Sequence, residues 1–486
     1  MNRLKTIFHY IVLQSFLLLT LAPSQALAIE LPEMGDSSGR SLSHAQAKEL
    51  GDQIMLQVRQ SPLYNTDAIV TSYVQALGAR LVPEKEEAEF YFFVINDPRV
   101  NAFALPGGYI GINAGLILVA EHEDEVAGVM AHEIAHVTQR HIARMFERSQ
   151  SLTWPMIAAL LGSVILTAAN PALGSGALAT VMASGQQDMI NFTRSNEEEA
   201  DRVGMEMLAE ADYDPMAMST FFGRMAQANK YNESFYVPDF LRTHPVNSAR
   251  VADAATRAQQ YPPVKKTESL SFRLIKQRLY VMYAGHNQDI IAHYRAELEK
   301  PGNNQDPALR YGYSLALAKK GSLSLSITEL LQLLNDKPNE KIYLMSLAEV
   351  YQEQHAYMKG IALLQNAMRL YPRDEAISLQ LVKMLINAEQ YRQAKTLMDS
   401  QIRYADDHPL YYHYLAQAQS ELGNPQASHM ARANYYAMQD DPSSAIRELK
   451  RAQAYDKDND YIQAKISAQL KKVEKELELK LEKMDM

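Results

Sequence analysis

The sequence of 486 residues contains no cysteine, which excludes disulfide bonds and excludes a lipoprotein, since acylation needs a thiol. The sequence also lacks an excess of positive charge. Its formal net charge is -9 and the charged residues are spread along the chain, so we expect no nucleic-acid partner. Apolar residues make up 47% of the chain, enough for packed cores in the two or three domains that its length predicts.

The first 28 residues have the pattern of an export signal. Arg3 and Lys5 supply a short positive region, an apolar stretch covers 11–21, and a small-x-small cleavage site ends at Ala28. We therefore expect cleavage after Ala28 and a mature chain in a bacterial periplasm, either free or associated with the outer membrane. An uncleaved anchor is the less favoured alternative, because the apolar stretch is short for a membrane-spanning helix.

The residues after this signal predict a first domain, 29–262, that mixes helices with a few short strands. Helical spacing of apolar residues alternates with segments rich in β-branched and aromatic residues or bounded by turn signals. A linker follows, with paired prolines at 262–263 and paired lysines at 265–266. The expected helices are 45–81, 116–120, 125–146, 197–211 and 215–228, and the expected strands are 89–95, 102–105 and 109–112.

One segment of this domain, 151–190, carries almost no charge. Its first apolar run, 156–169, ends at Asn170-Pro171 and is short for a membrane span. The second run is rich in alanine and glycine. Three alternatives stay open: a buried pair of short helices, which we favour, peripheral contact with a membrane surface, and a true span. The buried pair would also form a lid over a neighbouring cleft.

Beyond residue 268 the sequence changes to successive helices rich in alanine, leucine and tyrosine. Small residues recur every 34 positions, at Ala292, Ser326, Gly360, Ala394 and Ser428. A period of 34 with two helices per unit is the tetratricopeptide signature, in which the small residues let paired helices approach closely. The sequence therefore predicts a helical solenoid over 268–486 that binds protein clients. A generic helical bundle is the alternative.

An HEIAH motif, with His132, Glu133 and His136, lies inside the predicted helix 125–146. Histidines four residues apart project from one face of a helix, so both imidazoles can bind one Zn²⁺. Glu133 is then placed to act as general base toward the water that the metal activates. Two surface histidines with a salt-bridging glutamate are the alternative. The apolar flanks of the motif make the helix a buried one, where such a cluster without a partner would be costly.

A catalytic zinc also needs a third protein ligand and an open position. The acidic run 196–201 offers candidates on a second helix. Glu197 and Asp201 share a helix face, so Glu197 is a candidate ligand and Asp201 a candidate acceptor for the N–H of a ligand histidine. Spacing alone does not choose between Glu197 and Glu198. A solvated acidic stripe is the alternative for the run, and it is the state we expect for Glu198 and Glu199.

Three motifs, in this order, resemble peptidase family M48: NAFALPGG at 101–108, HEIAH followed by VTQRH, and ExxxD from Glu197 to Asp201. The resemblance covers about residues 45–255. It implies a zincin-like α+β metallopeptidase domain with a small β-sheet, and it implies that Glu197 is the third zinc ligand. The complete expectation is a mainly α chain in which this domain, with one zinc ion, precedes the tetratricopeptide-repeat solenoid.

The family pattern also contains HPxxxxR, which His244, Pro245 and Arg250 match. The resemblance implies that His244 and Arg250 lie near the zinc and stabilise the tetrahedral oxyanion. A second hypothesis has His244 occupying the open zinc position and keeping the enzyme latent. Without the family pattern, His244 would be an ordinary loop histidine.

The segment 101–110 resembles the family's substrate-side edge strand, whose free edge can pair with an extended peptide. A pair of glycines after the strand permits close approach of a backbone. A plain hairpin turn is compatible with the same residues. The resemblance implies substrate binding by Asn101, Ala102, Phe103, Gly107 and Gly108.

The order of signal, M48 domain and repeats resembles periplasmic members of the family that act in quality control of outer-membrane β-barrel proteins. It implies a zinc metalloendopeptidase that degrades misfolded or stalled barrel proteins and, as a chaperone, promotes their assembly. It also implies partnership with the β-barrel assembly machinery and with the lipopolysaccharide-translocon barrel. The alternative is a mainly non-proteolytic scaffold or chaperone that docks clients through the repeats, with zinc largely structural or latent.

Overall fold

The structure is a computed structural model that describes residues 42–86, 88–148, 187–231, 240, 244–264, 268–285, 288–403, 408–455 and 458–484. The predicted signal with its cleavage site, and the apolar segment up to residue 186, lie outside the described residues. Within these residues, 20 helices and one three-stranded sheet confirm the mainly α fold. In the same part of the chain, no helix combines the length and the apolar character that crossing a membrane requires.

Two helices precede the sheet. The predicted helical segment 45–81 is divided into α1 (His44–Gln60) and α2 (Ala68–Leu81). Asp67 lies directly before α2, and its carboxylate accepts hydrogen bonds from two backbone N–H groups in the first turn of that helix. Aspartate is favoured at such a cap and disfavoured inside a helix, which explains why the chain breaks here.

The three predicted strands are confirmed as β1 (Tyr91–Ile95), β2 (Ala102–Leu105) and β3 (Tyr109–Asn113). Their order in the sheet is β1-β3-β2, with β3 parallel to β1 and antiparallel to β2. Because strand side chains alternate, Phe92 belongs to the main apolar core while Phe93 packs in a smaller cluster with α1. The order places β2 at an edge of the sheet.

The HEIAH motif lies on α4 (Glu123–Thr138), which follows the short helix α3 (Ala114–Val119). The predicted helix 125–146 is wrong in its length, because α4 ends at Thr138 and α5 (His141–Arg148) begins after a turn. Arg140 forms this turn with a φ of 54°, a left-handed conformation that non-glycine residues seldom adopt. Neither a glycine nor a proline marks the break in the sequence.

Three further helices complete the part of the chain that surrounds α4: α6 (Gln187–Glu210), α7 (Met216–Tyr231) and α8 (Ser248–Ala258). α6 packs along α4 and brings the acidic run toward the histidines. A Cβ at Gly204 of α6 would lie 3.0 Å from the backbone nitrogen of His132, so glycine permits the close approach of the two helices.

The repeats are confirmed by the helix boundaries. First helices of successive pairs begin at 307, 341, 375 and 409, and second helices at 323, 357, 391 and 425, which is a spacing of 34 in both series. The twelve described helices of this region are α9 (Leu270–Tyr283), α10 (Ile290–Glu299), α11 (Pro307–Lys319), α12 (Leu323–Asp336), α13 (Lys341–Glu353), α14 (Tyr357–Leu370), α15 (Glu375–Asn387), α16 (Tyr391–Gln401), α17 (Pro409–Glu421), α18 (Pro425–Met438), α19 (Pro442–Gln453) and α20 (Asp460–Met484).

Four of the five small residues are buried on the second helices, as the repeat requires: Ser326, Gly360, Ala394 and Ser428. At Gly360 an added Cβ would lie 2.6 Å from the terminal methyl carbon of Met384, so a larger residue here would require the Met384 side chain to move. The fifth residue, Ala292, is exposed, and the prediction is wrong there. It lies on α10, which precedes the regular pairs.

The apolar core continues from the first domain into the repeats. Phe272, Ile275 and Leu279 of α9 belong to the same buried cluster as residues of α2 and α4. An ion-pair network centred on a buried arginine accompanies this contact. Arg278 of α9 lies 2.7 Å from Asp67 before α2 and 2.8 Å from Glu349 of α13. The division of the chain between 262 and 268 stays a prediction.

A second polar contact ties the repeats to the start of α4. The buried carboxylate of Glu123 accepts hydrogen bonds from Tyr73 and Tyr213, each at 3.1 Å, and from Arg80 at 2.8 Å. It also accepts one from the hydroxyl of Ser269, the residue that caps α9. One carboxylate therefore joins α2, the end of α6 and the first helix of the repeats to the helix that carries the HEIAH motif.

We predict that Arg278→Met destabilises the protein by about 3–5 kcal/mol, because methionine fills the space of the stem but leaves two carboxylates near each other without their cation. Arg257→Met is the matched control. Its exposed pair with Asp253, four residues away on α8, predicts a change below about 1 kcal/mol. Urea unfolding of both variants measures the difference. Equal midpoints for the two variants would show that the buried network does not hold the two regions together.

Candidate metal centre

α4 carries the three candidate side chains of the HEIAH motif in the interior of the protein. His132 and Glu133 are 0% and 1% exposed, and His136 is half-buried. The Nε2 atoms of the two histidines lie 3.0 Å apart, because positions four residues apart project from one face of the helix. Phe222 of α7 and Phe240 pack edge-on against the His132 ring and line its surroundings with apolar surface.

Glu197 of α6 meets these two histidines. Its Oε2 lies 3.4 Å from Nε2 of His132, and its Oε1 lies 3.4 Å from Nε2 of His136. Its neighbour Glu198 is exposed, so the two glutamates that spacing left undecided face opposite environments. Potential ligand atoms of four side chains lie within 4.8 Å of one another, and they belong to His132, His136, Glu197 and His244.

The electrostatics of this cluster favour a cation. Burial opposes ionisation of Glu197, but the imidazoles of His244, His132 and His136 outweigh it and hold the pKa of this carboxyl well below its usual range. Burial likewise opposes protonation of His132, yet Asp201 and Glu197 raise the pKa of His132 to about 10. Carboxylates that stabilise a buried imidazolium in this way would also stabilise a divalent metal ion.

Asp201 contacts His132 on the side of the ring that faces away from the cluster. Its Oδ1 lies 2.9 Å from Nδ1 of His132, the ring nitrogen that points away from the cluster, although within the described residues this contact is not an aligned hydrogen bond. Asp201 also accepts two hydrogen bonds of 2.8 Å from Arg250, one from Nε and one from Nη2. Burial opposes the charge of Asp201, but His132 and Arg250 lower its pKa below the usual value. This geometry suits an acceptor that orients a ligand histidine.

The guanidinium group of Arg250 contacts two carboxylates and one backbone carbonyl. Besides its two bonds to Asp201, its Nη1 lies 2.9 Å from Oε2 of Glu197 and 2.9 Å from the carbonyl oxygen of Pro245. All three guanidinium nitrogens therefore contact protein oxygens. The structure shows Arg250 in contact with two carboxylates of the cluster, and its expected role in stabilising the oxyanion stays a prediction.

His244 lies inside the cluster. Its Nδ1 is 3.0 Å from Oε1 of Glu197 and 3.3 Å from Nε2 of His132, and its Nε2 is 3.3 Å from Oε1 of Glu133. Its ring stacks on Phe240 with centroids 5.0 Å apart. The stacking and the contact with Glu197 keep this imidazole close to the ligand atoms.

The Glu133 carboxylate faces the same space. In the described part of the chain, its buried Oε1 accepts no well-aligned hydrogen bond, although Nε2 of His244 lies 3.3 Å away. A buried carboxylate oxygen is costly without a partner. This oxygen is therefore suited to receive a hydrogen bond from water or substrate in the cluster.

Sequence reasoning missed His141, which supports His136. The two Nδ1 atoms lie 2.7 Å apart, and Nε2 of His141 lies 3.1 Å from Oε2 of Glu199. Arg144 donates to the same Glu199 oxygen. Burial and the neighbouring His136 lower the pKa of His141 to about 4. The VTQRH stretch that carries His141 was used only for the family resemblance, and nothing in its spacing indicates that the chain turns back.

The expectation that Glu199 is solvated is wrong. Its side chain is 28% exposed and accepts from both His141 and Arg144. Burial raises the pKa of Glu199, but Arg144 and His141 lower it by more, so it falls below the usual value. The physical reason is the turn at Arg140, which brings α5 beside α6 and gives this acidic side chain two partners.

The proposed substrate residues lie at the edge strand and in its turn. Ala102 and Phe103 are buried in β2, and Asn101 directly before it is 5% exposed. Within the described residues, Oδ1 of Asn101 has no hydrogen-bond partner. Gly107 and Gly108 adopt φ values of 79° and 82° in the turn, and a Cβ at Gly108 would lie 2.0 Å from the carbonyl oxygen of Glu89. The close approach at Gly108 is thus to the protein's own backbone.

Comparison with known proteins gives two family matches. The model of peptidase family M48 matches residues 66–258, which include every side chain of the metal cluster. A tetratricopeptide-repeat model matches residues 351–419. Both matches agree with the fold, since the first covers the sheet and its surrounding helices and the second lies in the array of helix pairs.

Two relatives match the chain over almost its whole length, and a third matches part of it. The β-barrel assembly-enhancing protease of Escherichia coli is 34% identical over 446 residues, which cover 90% of this chain and 90% of that protein. The protein of the same name in Yersinia pestis is 32% identical over 453 residues, 93% and 92% of the two chains. The mitochondrial metalloendopeptidase OMA1 of Schizosaccharomyces pombe is 30% identical over 205 residues, 42% of this chain and 55% of that protein.

We predict that Glu197→Gln weakens divalent-metal binding by at least about 100-fold, because the neutral amide removes the charged ligand from the cluster. Glu198→Gln is the matched control one residue away and should bind metal as the unchanged protein does, since Glu198 is exposed. Competition with a chromogenic chelator measures both affinities. Retention of metal by Glu197→Gln, or its loss by Glu198→Gln, would contradict the assignment of Glu197.

Proposed function

The chain belongs to the family of M48 metallopeptidases with tetratricopeptide repeats that includes the β-barrel assembly-enhancing proteases, and from this premise we propose its function. We propose that this metallopeptidase is a periplasmic zinc endopeptidase that degrades misfolded or stalled outer-membrane β-barrel proteins and promotes their assembly. The observation that carries the proposal is the cluster of His132, His136 and Glu197 beside a buried carboxylate oxygen of Glu133 that accepts no aligned hydrogen bond within the described residues.

Zinc, one ion per chain, is the metal that we assign to the cluster. His132, His136 and Glu197 would hold it, because two imidazoles and one carboxylate form a donor set typical of catalytic zinc sites. The buried carboxylate of Glu197 supports the fit, as does the Glu133 oxygen, which accepts no aligned hydrogen bond from the part of the chain that the structure describes. When bound, zinc polarises the peptide carbonyl and acidifies the attacking water.

Glu133 is proposed as the general base. Its Oε1 is buried, faces the cluster and has no aligned donor among the described residues, so it is available to accept a proton from water. Glu133 then returns this proton to the departing amine. The burial of the surrounding side chains excludes bulk solvent and strengthens the electrostatic interactions that support the proton transfer.

The substrate peptide is proposed to bind along β2. An extended peptide beside this edge strand would form main-chain hydrogen bonds that depend little on its sequence. The side-chain oxygen of Asn101 would accept a further hydrogen bond from a peptide N–H, since it has no partner in the described residues. We assign Asn101, Ala102 and Phe103 to substrate contact, and Gly107 and Gly108 to shaping the turn after the strand.

His244 is proposed to act as a latch. Its Nδ1 lies among the potential ligand atoms of His132 and Glu197, so in the resting enzyme it would occupy the position that substrate and water need. Displacement of His244 would free that position. Asp201 and Arg250 are proposed as positioning residues, because each contacts a ligand side chain and Arg250 has its donors engaged.

The compartment and partners are proposed from the relatives and the repeats. The E. coli and Y. pestis relatives are called β-barrel assembly-enhancing proteases, which supports a role in outer-membrane protein assembly. We propose export with cleavage after Ala28, a peptidase domain over 29–262 and a client-binding repeat domain over 268–486. The proposed partners are outer-membrane β-barrel proteins, the β-barrel assembly machinery and the lipopolysaccharide-translocon barrel. Peripheral membrane contact through 151–190 is proposed as a further attachment.

We predict that Glu133→Gln keeps its zinc and loses peptide cleavage by at least about 1,000-fold, because only the base is removed. The protein should be recovered from the periplasm with a chain beginning at Ile29, which mass spectrometry of the protein checks. Zinc content and casein cleavage are measured on the same preparation. Cleavage near the unchanged rate would contradict the role of Glu133. If Glu133→Gln fully supports barrel assembly in cells, the non-proteolytic scaffold function dominates.

We predict that His244→Ala raises kcat for a small peptide several-fold, because the latch is removed while His132, His136 and Glu197 remain. Zinc content is measured alongside, so that loss of metal is recognised. A fall in kcat of about 100-fold or more with zinc retained would contradict the latch and would favour a role for His244 in stabilising the oxyanion.

A further inference from the structure

The two candidate histidine ligands differ in the side chain that contacts the Nδ1 atom of each ring. Asp201 contacts His132, and this contact corresponds to the common carboxylate partner of a ligand histidine. His136 has a second imidazole as its partner instead, that of His141. His141 is 4% exposed and lies outside the HEIAH motif.

The hydrogen bonds around His141 are consistent with one arrangement of protons. If His136 uses Nε2 toward a metal, its Nδ1 carries the hydrogen and donates to Nδ1 of His141, 2.7 Å away. His141 must then carry its own hydrogen on Nε2, from which it donates to Oε2 of Glu199 at 3.1 Å. Each ring nitrogen thus has one role, and both imidazoles are neutral.

Arg144 holds Glu199, the last residue in this series of hydrogen bonds, in place. Arg144 donates to Glu199 at 2.8 Å and to the side-chain oxygen of Asn196 at 2.9 Å. Arg144 lies on α5 and Glu199 on α6, so the contact joins the two helices. Glu199 is therefore held where it can accept from His141.

The backbone places His141 for this contact. Arg140 adopts the left-handed conformation with φ of 54°, which costs about 1 kcal/mol or more for a non-glycine residue. The turn lets His141 begin α5 and lie beside His136, with ring centroids 4.7 Å apart. Strained backbone next to a functional cluster is expected where the surrounding structure requires a particular side-chain position.

We propose that His141 is a positioning residue for the metal centre: it accepts the Nδ1 hydrogen of His136, is anchored by Glu199, and thereby directs Nε2 of His136 toward the metal. The inference rests on the proposed metal site. A fixed ring orientation lowers the cost of ordering the ligand, and the accepted hydrogen bond increases the basicity of Nε2.

The test uses three variants of the full-length protein. His141→Ala removes the acceptor and should weaken zinc affinity about 10- to 100-fold, as loss of such a partner does at other zinc sites. His141→Asn keeps an oxygen acceptor close to the position of Nδ1 and should recover most of the affinity. His122→Ala is the matched control, because His122 is an exposed histidine at the start of the same helix, α4.

Zinc affinity is measured by competition with a chromogenic chelator, and the ligand geometry by the visible spectrum of the cobalt-substituted protein. The expected result is weakened binding and a shifted cobalt spectrum for His141→Ala, with His141→Asn and His122→Ala close to the unchanged protein. Circular dichroism checks the fold of each variant. Should His141→Ala not fold, His141→Gln replaces it, because the glutamine oxygen lies one bond further from the backbone than Nδ1. Weakened binding by folded His141→Gln supports the proposal, and binding equal to that of the unchanged protein overturns it.

Two negative results have different meanings. If the unchanged protein binds no zinc, the proposed function fails and this inference fails with it. If the unchanged protein binds zinc and folded His141→Ala binds it within twofold with the same cobalt spectrum, only the role of His141 is overturned. An equal loss of zinc affinity in His141→Ala and His141→Asn would also overturn it, because the loss would then not depend on a hydrogen-bond acceptor at this position.

Discussion

Asp201 accepts two hydrogen bonds from Arg250 while its Oδ1 lies 2.9 Å from Nδ1 of His132, and the geometry of the metal centre depends on these contacts. Arg250 also contacts Glu197, so one guanidinium joins a candidate ligand to the residue that orients another. The charges are buried and mutually compensated, which makes the arrangement costly to break at any one point. Three separate chain segments, α4, α6 and α8, are held in register by this interaction.

The helix that carries the motif is also fixed from its other end. Glu123 in the first turn of α4 accepts from two tyrosines, an arginine and the hydroxyl of Ser269 at the start of the repeats. Together with Arg278 between Asp67 and Glu349, it makes the beginning of the solenoid part of the packing around α4. The repeats are therefore joined to the peptidase fold by buried charge as well as by apolar surface.

The elements that sequence reasoning predicted best are those with a strong local period. The strands, the acidic helix and the 34-residue repeat follow from alternation, helical spacing and recurring small residues, which need no knowledge of the partner segments. The break after Thr138 was not predictable in the same way. Arg140 adopts its left-handed conformation without a glycine signal, because contacts of α5 with α6 compensate for the strain.

The sequence by itself determined one part of the cluster: His132, Glu133 and His136 are placed relative to one another by the geometry of a single helix. Their neighbours depend on how helices pack, which only the tertiary structure decided. It brought Glu197 into the cluster and left Glu198 in solvent. It also placed Glu199 within hydrogen-bond distance of His141 and brought the guanidinium of Arg250 into contact with Glu197. The physical reason is that the facing side of α6 is selected by its approach to α4 at Gly204, a contact between residues far apart in the chain.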